Sequence, residues 1–189
     1  MTSLQHLLSE ACYSVRGEVG VGKTADYIPA LARIDPLKFG AAIVTVSGDV
    51  YCYGDAQETF SIQSISKVFA LTLALNKVGD QLWSRVGREP SGSSFNSIVQ
   101  LEREHGIPRN PFINAGALAV TDVLLEGRAV EACSSEMLGF IRDISGSASV
   151  DVDVEVAQSE RQAAHRNASL AEFMKSFGNL HCSVSDVLD

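Results

Sequence analysis

The chain has 189 residues, enough for one domain of ordinary size with a buried core. Hydrophobic residues make up 46% and charged residues 20%, a balance that argues against both disorder and a membrane span. Fifteen basic against 23 acidic side chains leave a net charge of −8 with no Lys/Arg cluster, so no nucleic-acid partner is expected.

The first residues, Met1 to His6, carry neither a basic run nor a long apolar stretch. No secretory signal is expected from them, and the cytoplasm is the expected compartment. Cys12, Cys52, Cys133 and Cys182 are widely and irregularly spaced, which fits reduced thiols packing as small apolar groups. The four histidines form no i, i+3 or i+4 pair, so no metal site is expected.

In chain order, Leu4, Leu7, Leu8, Ala11, Cys12 and Val15 recur at helical spacing and predict an amphipathic helix that stops near Gly17. Gly17 to Thr24 then satisfies G-x-x-x-x-G-K-[ST], the pattern of phosphate-binding loops. Such a loop works between a strand and a helix, where its amides and the helix dipole meet the phosphates. Here a helical pattern precedes it and Pro29 cuts the segment that follows, so a glycine-rich connector is expected and nucleotide binding is a distant alternative. Phe39 to Val46 and Asp49 to Tyr53, rich in Val, Ile and Tyr, read as a β-hairpin turning at Ser47-Gly48.

Ser64 and Lys67 follow, three residues apart at the start of an apolar run containing Val68, Phe69, Leu71, Leu73, Ala74 and Leu75. On a helix this spacing puts both side chains on one face, where hydroxyl and amine can share a hydrogen bond. Serine is a weak nucleophile until a neighbour takes its proton, and lysine can do so only when neutral, a form favoured by burial and by a helix N-terminus. The surrounding apolar residues predict a helix pressed into a core. Ser66 is the alternative nucleophile, but adjacent helical residues point about 100° apart, which favours Ser64. Taken alone, the short pattern fits an N-cap serine and a solvated lysine at least as well.

From about Leu82 onward the chain reads as helices with short loops: Ser94 to Glu104, Ile113 to Leu125, Ser135 to Ile144, Leu170 to Phe177, and a start at Ser183. Ser145 to Ser149 is the loosest stretch, with the composition of a mobile loop. Asn114 stands inside an apolar run, so it is either a satisfied core amide or part of a site. Glu160 and Asn167 by themselves read as an exposed helical pair spaced i, i+7.

Ser-x-x-Lys opening a buried helix is the nucleophile arrangement of serine β-lactamases, penicillin-binding proteins and their relatives. Within that group, Ser-Ile-Gln-Ser-Ile-Ser-Lys-Val-Phe from Ser61 to Phe69 resembles the nucleophile segment of the serine-dependent glutaminases. Three further segments resemble that family in the same order: Glu89-Pro90-Ser91-Gly92 with Phe95-Asn96-Ser97, Pro108 through Ala117, and Ser159-Glu160 through Arg166-Asn167 to Leu180. The resemblance extends from Gly22 to the last residue.

It implies an α/β fold of the serine β-lactamase/transpeptidase type, present here mainly as the helical subdomain with an N-terminal helix and hairpin. Residues 1–189 are then one glutaminase domain. The family continues past the point matching Asp189 with helix, strands, two substrate-site tyrosines and a late oxyanion amide, so a C-terminally truncated chain is expected. The implied reaction is hydrolysis of L-glutamine to L-glutamate and ammonia, without metal or organic cofactor, by a homo-oligomer. Ser64 is the implied nucleophile, Lys67 its base, and the intermediate a γ-glutamyl ester. Asn114, Glu160 and Asn167 match substrate-binding positions, and Tyr27 falls near the active-site mouth. By charge, Glu160 suits the substrate ammonium and the two amides suit its carboxylate and polar ends. The alternatives are another Ser-x-x-Lys hydrolase or acyltransferase acting on β-lactams or peptides, and a non-catalytic fragment.

Overall fold

The computed structural model describes residues 3–189, which form two compact units divided between Ser61 and Ile62. In the first, helix α1 (Leu4–Ser14) starts where the Ser3 hydroxyl accepts the His6 N–H at 3.2 Å, an N-cap that satisfies one orphan donor of the first turn. A 3-10 turn over Arg16–Glu18 leads into the glycine-rich connector, which no strand enters. Pro29 does not abolish helix but begins it, at the first position of the single-turn α2 (Pro29–Ala32), where its missing N–H costs nothing. A cavity of about 280 Å³ borders the connector, and two lysines line it. Lys23 is already paired with Asp26 and Lys38 with Glu58, so neither offers an unpaired cation to a phosphate.

Strands β1 (Gly40–Val44) and β2 (Val50–Gly54) pair antiparallel, with Ala41 opposite Tyr53 and Ile43 opposite Tyr51. The turn between them needs Gly48 at φ +91°, a conformation that L side chains rarely adopt. Helix α1 packs on both strands, and Gln5 Nε2 donates to the Cys52 carbonyl at 3.0 Å.

The second unit is helical: α3 (Ser66–Val78), a 3-10 turn over Gly79–Ser84, α4 (Ile98–Arg103), α5 (Asn114–Leu125), α6 (Val130–Ser145), α7 (Val154–Gln162), α8 (His165–Ser176) and α9 (Val184–Leu188). Its axis is α5, nine of whose 12 residues are buried. One side of α5 supplies Ala115, Leu118 and Leu125 to a core shared with Leu101, Leu170, Met174 and Val187. The other supplies Val120, Val123 and Leu124 to a core shared with Ala74, Leu82 and Val86. Apart from Asn114, Thr121 and Asp122 its side chains are apolar or absent, as befits a helix packed on several sides.

Three expectations change. Helix α3 is not enclosed: it lies against α5 and α6, only Ala74 is buried, and Val68 is 50% exposed. Helix α7 has no buried residue, so it lacks the apolar periodicity that would reveal it; it forms behind an N-cap in which Asp153 Oδ1 accepts the Val156 N–H at 3.0 Å. Glu160 and Asn167 therefore stand on two helices, α7 and α8, divided at Ala163-Ala164. The stretch after α6 is held rather than loose: Gly146 caps the helix in the left-handed region and Arg142 Nε donates to the Val150 carbonyl at 2.7 Å.

A buried ion pair ties the unit together. Asp122, 1% exposed in the last turn of α5, accepts Arg85 Nη2 at 2.6 Å and the backbone N–H groups of His181 and Cys182 at 3.0 and 2.8 Å. Arg85 also donates from Nε to Asn179 Oδ1 at 2.8 Å, and Asn179 Nδ2 returns bonds to the carbonyls of Arg85 and Gly106, both at 2.9 Å. Burial alone would raise the Asp122 carboxyl, but Arg85 and the two N–H groups hold it below the usual carboxylate range. Burial, and after it the same carboxylate, push the Cys182 thiol up to about 11, which keeps it a protonated, inert group.

Removing one partner of such a pair strands the other charge in the interior. Asp122→Ala should cost about 3–5 kcal/mol in urea unfolding, whereas Arg128→Ala at the exposed, solvent-screened Arg128–Glu136 pair should change it little. Because the Asp122 pKa is depressed on folding, its contribution is complete above the ordinary carboxylate range and lost as pH falls through the lower native value. Asp122→Asn should remove that acid-side fall, read from melting temperatures across pH.

Candidate active site

The site is built on the turn that precedes α5. Asn110 Oδ1 accepts the N–H groups of Phe112 and Ile113 at 3.0 and 3.1 Å, and its Nδ2 donates to the Glu89 carbonyl at 2.9 Å. Gly87 and Glu89 donate to the carbonyls of Pro108 and Arg109 at 2.7 and 2.9 Å, so the turn is braced on both edges. Gly116 lets the first turn of α5 press onto it, since a Cβ there would overlap the Asn110 carbonyl. The turn thereby fixes the Phe112 carbonyl and Asn114, the first residue of α5.

Lys67, second residue of α3, spends its hydrogen bonds on those two groups: Nζ donates to the Phe112 carbonyl at 3.0 Å and to Asn114 Oδ1 at 2.9 Å. Asn114 Nδ2 donates in turn to Asn167 Oδ1 at 3.0 Å. Both acceptors of Lys67 are carbonyl-type oxygens that can only receive a proton. A neutral amine has two N–H bonds and one lone pair, so with both N–H bonds held, its lone pair is fixed in direction. Burial pushes the Lys67 amine below its ordinary value, and the Glu160 carboxylate opposes that shift.

Ser64 does not sit on α3 itself but on a 3-10 turn over Gln63–Ile65 just ahead of it. Its hydroxyl is exposed and makes no hydrogen bond among the described residues, so the direct Ser64–Lys67 bond expected from helical spacing is replaced by the bonds of Lys67 to Phe112 and Asn114. Gln63, immediately before it, is held at φ +45°, a strained conformation for a side chain of its kind. A cavity of about 250 Å³ is lined by Ser64, Lys67 and Glu160, with Ala117, Val120 and Met137 among its apolar lining. Four of the expected residues thus converge: Ser64, Lys67 and Glu160 on the cavity, and Asn114 on Lys67. Asn167 joins them through Asn114. Tyr27 belongs to the first unit, just before α2, and is 68% exposed.

One group escapes the sequence reading, the Phe112 carbonyl, which carries no side-chain signature; Pro108 to Pro111 reads from its residues as an ordered turn, and Asn110 is the amide that fixes it. No cluster of three or more His, Cys, Asp or Glu placed to hold a metal occurs among the described residues.

The helical bundle around α5, with Ser-x-x-Lys at the start of α3, defines the class: the helical subdomain of the serine β-lactamase-like fold. The family model "Glutaminase" matches residues 22–189, and the chain belongs to the glutaminase family. A glutaminase from Rhizobium etli (strain CIAT 652) is 57% identical over 188 residues, covering 100% of this chain and 61% of the relative. A glutaminase from Agrobacterium fabrum is 54% identical with the same coverage. Among solved structures, the probable glutaminase ybaS aligns with TM-score 0.86 at 34% identity, over 99% of this chain and 60% of that one. Mglu in its glutamate form aligns with TM-score 0.88 at 36% identity, over 99% and 43%. The chain spans about 61% of the length of the curated relatives it matches.

Asn114→Asp would place a carboxylate where a neutral oxygen now meets Lys67, and an opposite charge favours the protonated amine. Competitive acetylation of lysines across pH should show the Lys67 midpoint moving to higher pH in this variant; an unmoved midpoint would contradict the contact. Gly116→Ala should destabilise the protein by roughly 2 kcal/mol or more in urea unfolding, as expected when a side chain is forced into a close-packed backbone contact.

Proposed function

We propose that the protein hydrolyses L-glutamine to L-glutamate and ammonia through an ester on Ser64. The observation that carries this reading is the setting of Lys67, a half-buried amine bonded to two fixed carbonyl oxygens and opening onto the cavity that holds Ser64. Membership of the glutaminase family supports the substrate, as does the solved glutamate form of Mglu.

In this reading Ser64 Oγ attacks the side-chain carboxamide carbon and its proton passes to the Lys67 lone pair. The oxyanion is met by backbone donors, the N–H of Ser64 among them. The C–N bond then breaks as Lys67 returns the proton to the departing nitrogen, and ammonia leaves. Water attacks the γ-glutamyl ester, its proton moving to Lys67 and from there to Ser64 Oγ. The steps as written need neither a metal nor an organic cofactor.

Glu160 faces the cavity with a carboxylate suited to the substrate ammonium. With its Oδ1 occupied by Asn114, Asn167 keeps its Nδ2 hydrogens for the substrate carboxylate. Tyr27 stands as a substrate contact on family likeness. Residues 1–189 are read as belonging to one glutaminase domain, working in the cytoplasm as a homo-oligomer. No helix among the described residues is long and apolar enough to cross a membrane.

Ammonia release from L-glutamine by the purified protein tests the reading. Ser64→Ala and Lys67→Ala should each lower turnover by roughly 10³-fold or more while leaving the thermal melt near that of the parent. Robust turnover in Ser64→Ala would sink the nucleophile assignment.

A further inference from the structure

Glu160 is placed unlike the protein's paired carboxylates. It lines the cavity of Ser64 and Lys67 from α7, and its carboxylate makes no hydrogen bond or ion pair among the described residues. Lys67 is met from the start of α5 by the neutral Phe112 carbonyl and Asn114, while Thr121 of α5 and Met137 of α6 add no charge to the cavity lining. Glu160 is therefore the one ionised group besides Lys67 among the described residues lining the cavity.

An unpaired carboxylate across a partly desolvated cavity stabilises a proton on the amine it faces. That opposes the base role, which needs Lys67 neutral. The opposition lasts only while Glu160 has no closer cation. An ammonium seated on Glu160 cancels its field at Lys67 and brings a positive charge nearer to the amine, and both changes favour loss of the Lys67 proton.

We propose that Glu160 couples ligand binding to activation of the base: in the empty cavity it keeps the proton on Lys67, and a ligand ammonium seated on it releases that proton to solvent. The inference rests on the reading of Glu160 as the ammonium site and adds a second role, as a residue that governs the base. Ligands lacking an α-ammonium would then occupy the cavity without arming Ser64, a selectivity expressed in the chemical step rather than in affinity.

The test follows Lys67 directly and needs no turnover. Competitive acetylation with acetic anhydride across pH, read by peptide mass spectrometry, gives the Lys67 midpoint, with the other lysines as internal references. Glu160→Gln should move that midpoint to lower pH without ligand, and Glu160→Asp should restore part of the shift. L-norleucine, an α-amino acid of glutamine's length with no bond to hydrolyse, should lower the midpoint in the parent protein and leave it unchanged in Glu160→Gln. Hexanoate, its counterpart without the ammonium, should not lower it. An unmoved midpoint in Glu160→Gln, no response to L-norleucine in the parent, or an equal response to hexanoate would each overturn the proposal. Failure of the hydrolase reading would show separately, as absent ammonia release from glutamine in a protein whose Lys67 still responds as described.

Discussion

The second unit depends on one carboxylate. Asp122 lies in the last turn of a largely buried helix, where an unpaired charge would cost several kcal/mol, and it is met by Arg85 and by the His181 and Cys182 N–H groups. Asn179 completes the arrangement by bonding Arg85 and the Gly106 carbonyl. The pair joins three stretches far apart in sequence: the end of the 3-10 turn after α3, the last turn of α5, and the turn between α8 and α9. Helix α5 is locked in register by it. Asn114 stands eight residues earlier on that helix, so the clamp on Asp122 also sets the position of the amide that holds Lys67.

Above that clamp, the site works by restricting what Lys67 can do. Two carbonyl oxygens take its N–H bonds, and burial disfavours its charged form more strongly than Glu160 favours it. The outcome is an amine with a lowered pKa whose lone pair, once the proton leaves, points in a fixed direction, which a surface lysine has no reason to possess. The strained Gln63 backbone puts the Ser64 hydroxyl ahead of α3 rather than on its side, leaving it unbonded and open to the cavity.

Much of this was legible in the chain itself. The hairpin announces itself through β-branched residues flanking Ser-Gly, and α5 through an apolar run broken only by Thr121 and Asp122 after Asn114. The cost of burying Asn114 already marks it as a satisfied amide or a site residue, and the same argument applied to Asp122 would have found the ion pair. What no local pattern could supply is the partner: Arg85 is 37 residues from Asp122 and Lys67 is 47 from Asn114. The i, i+7 spacing of Glu160 and Asn167 misleads for the opposite reason, because local periodicity is read as one helix where the chain breaks at Ala163-Ala164. The phosphate-loop pattern at Gly17 to Thr24 is a match in letters without the strand that gives such loops their function.

The central claim, that Ser64 is the atom which carries the acyl group, is tested most directly by trapping it. Protein mixed with L-glutamine and quenched in acid should yield, on digestion, a peptide spanning Ser64 that carries the mass of a γ-glutamyl group, with fragmentation placing it on Ser64. Ammonia release with no adduct on that peptide, or an adduct placed on Ser66, would contradict the account.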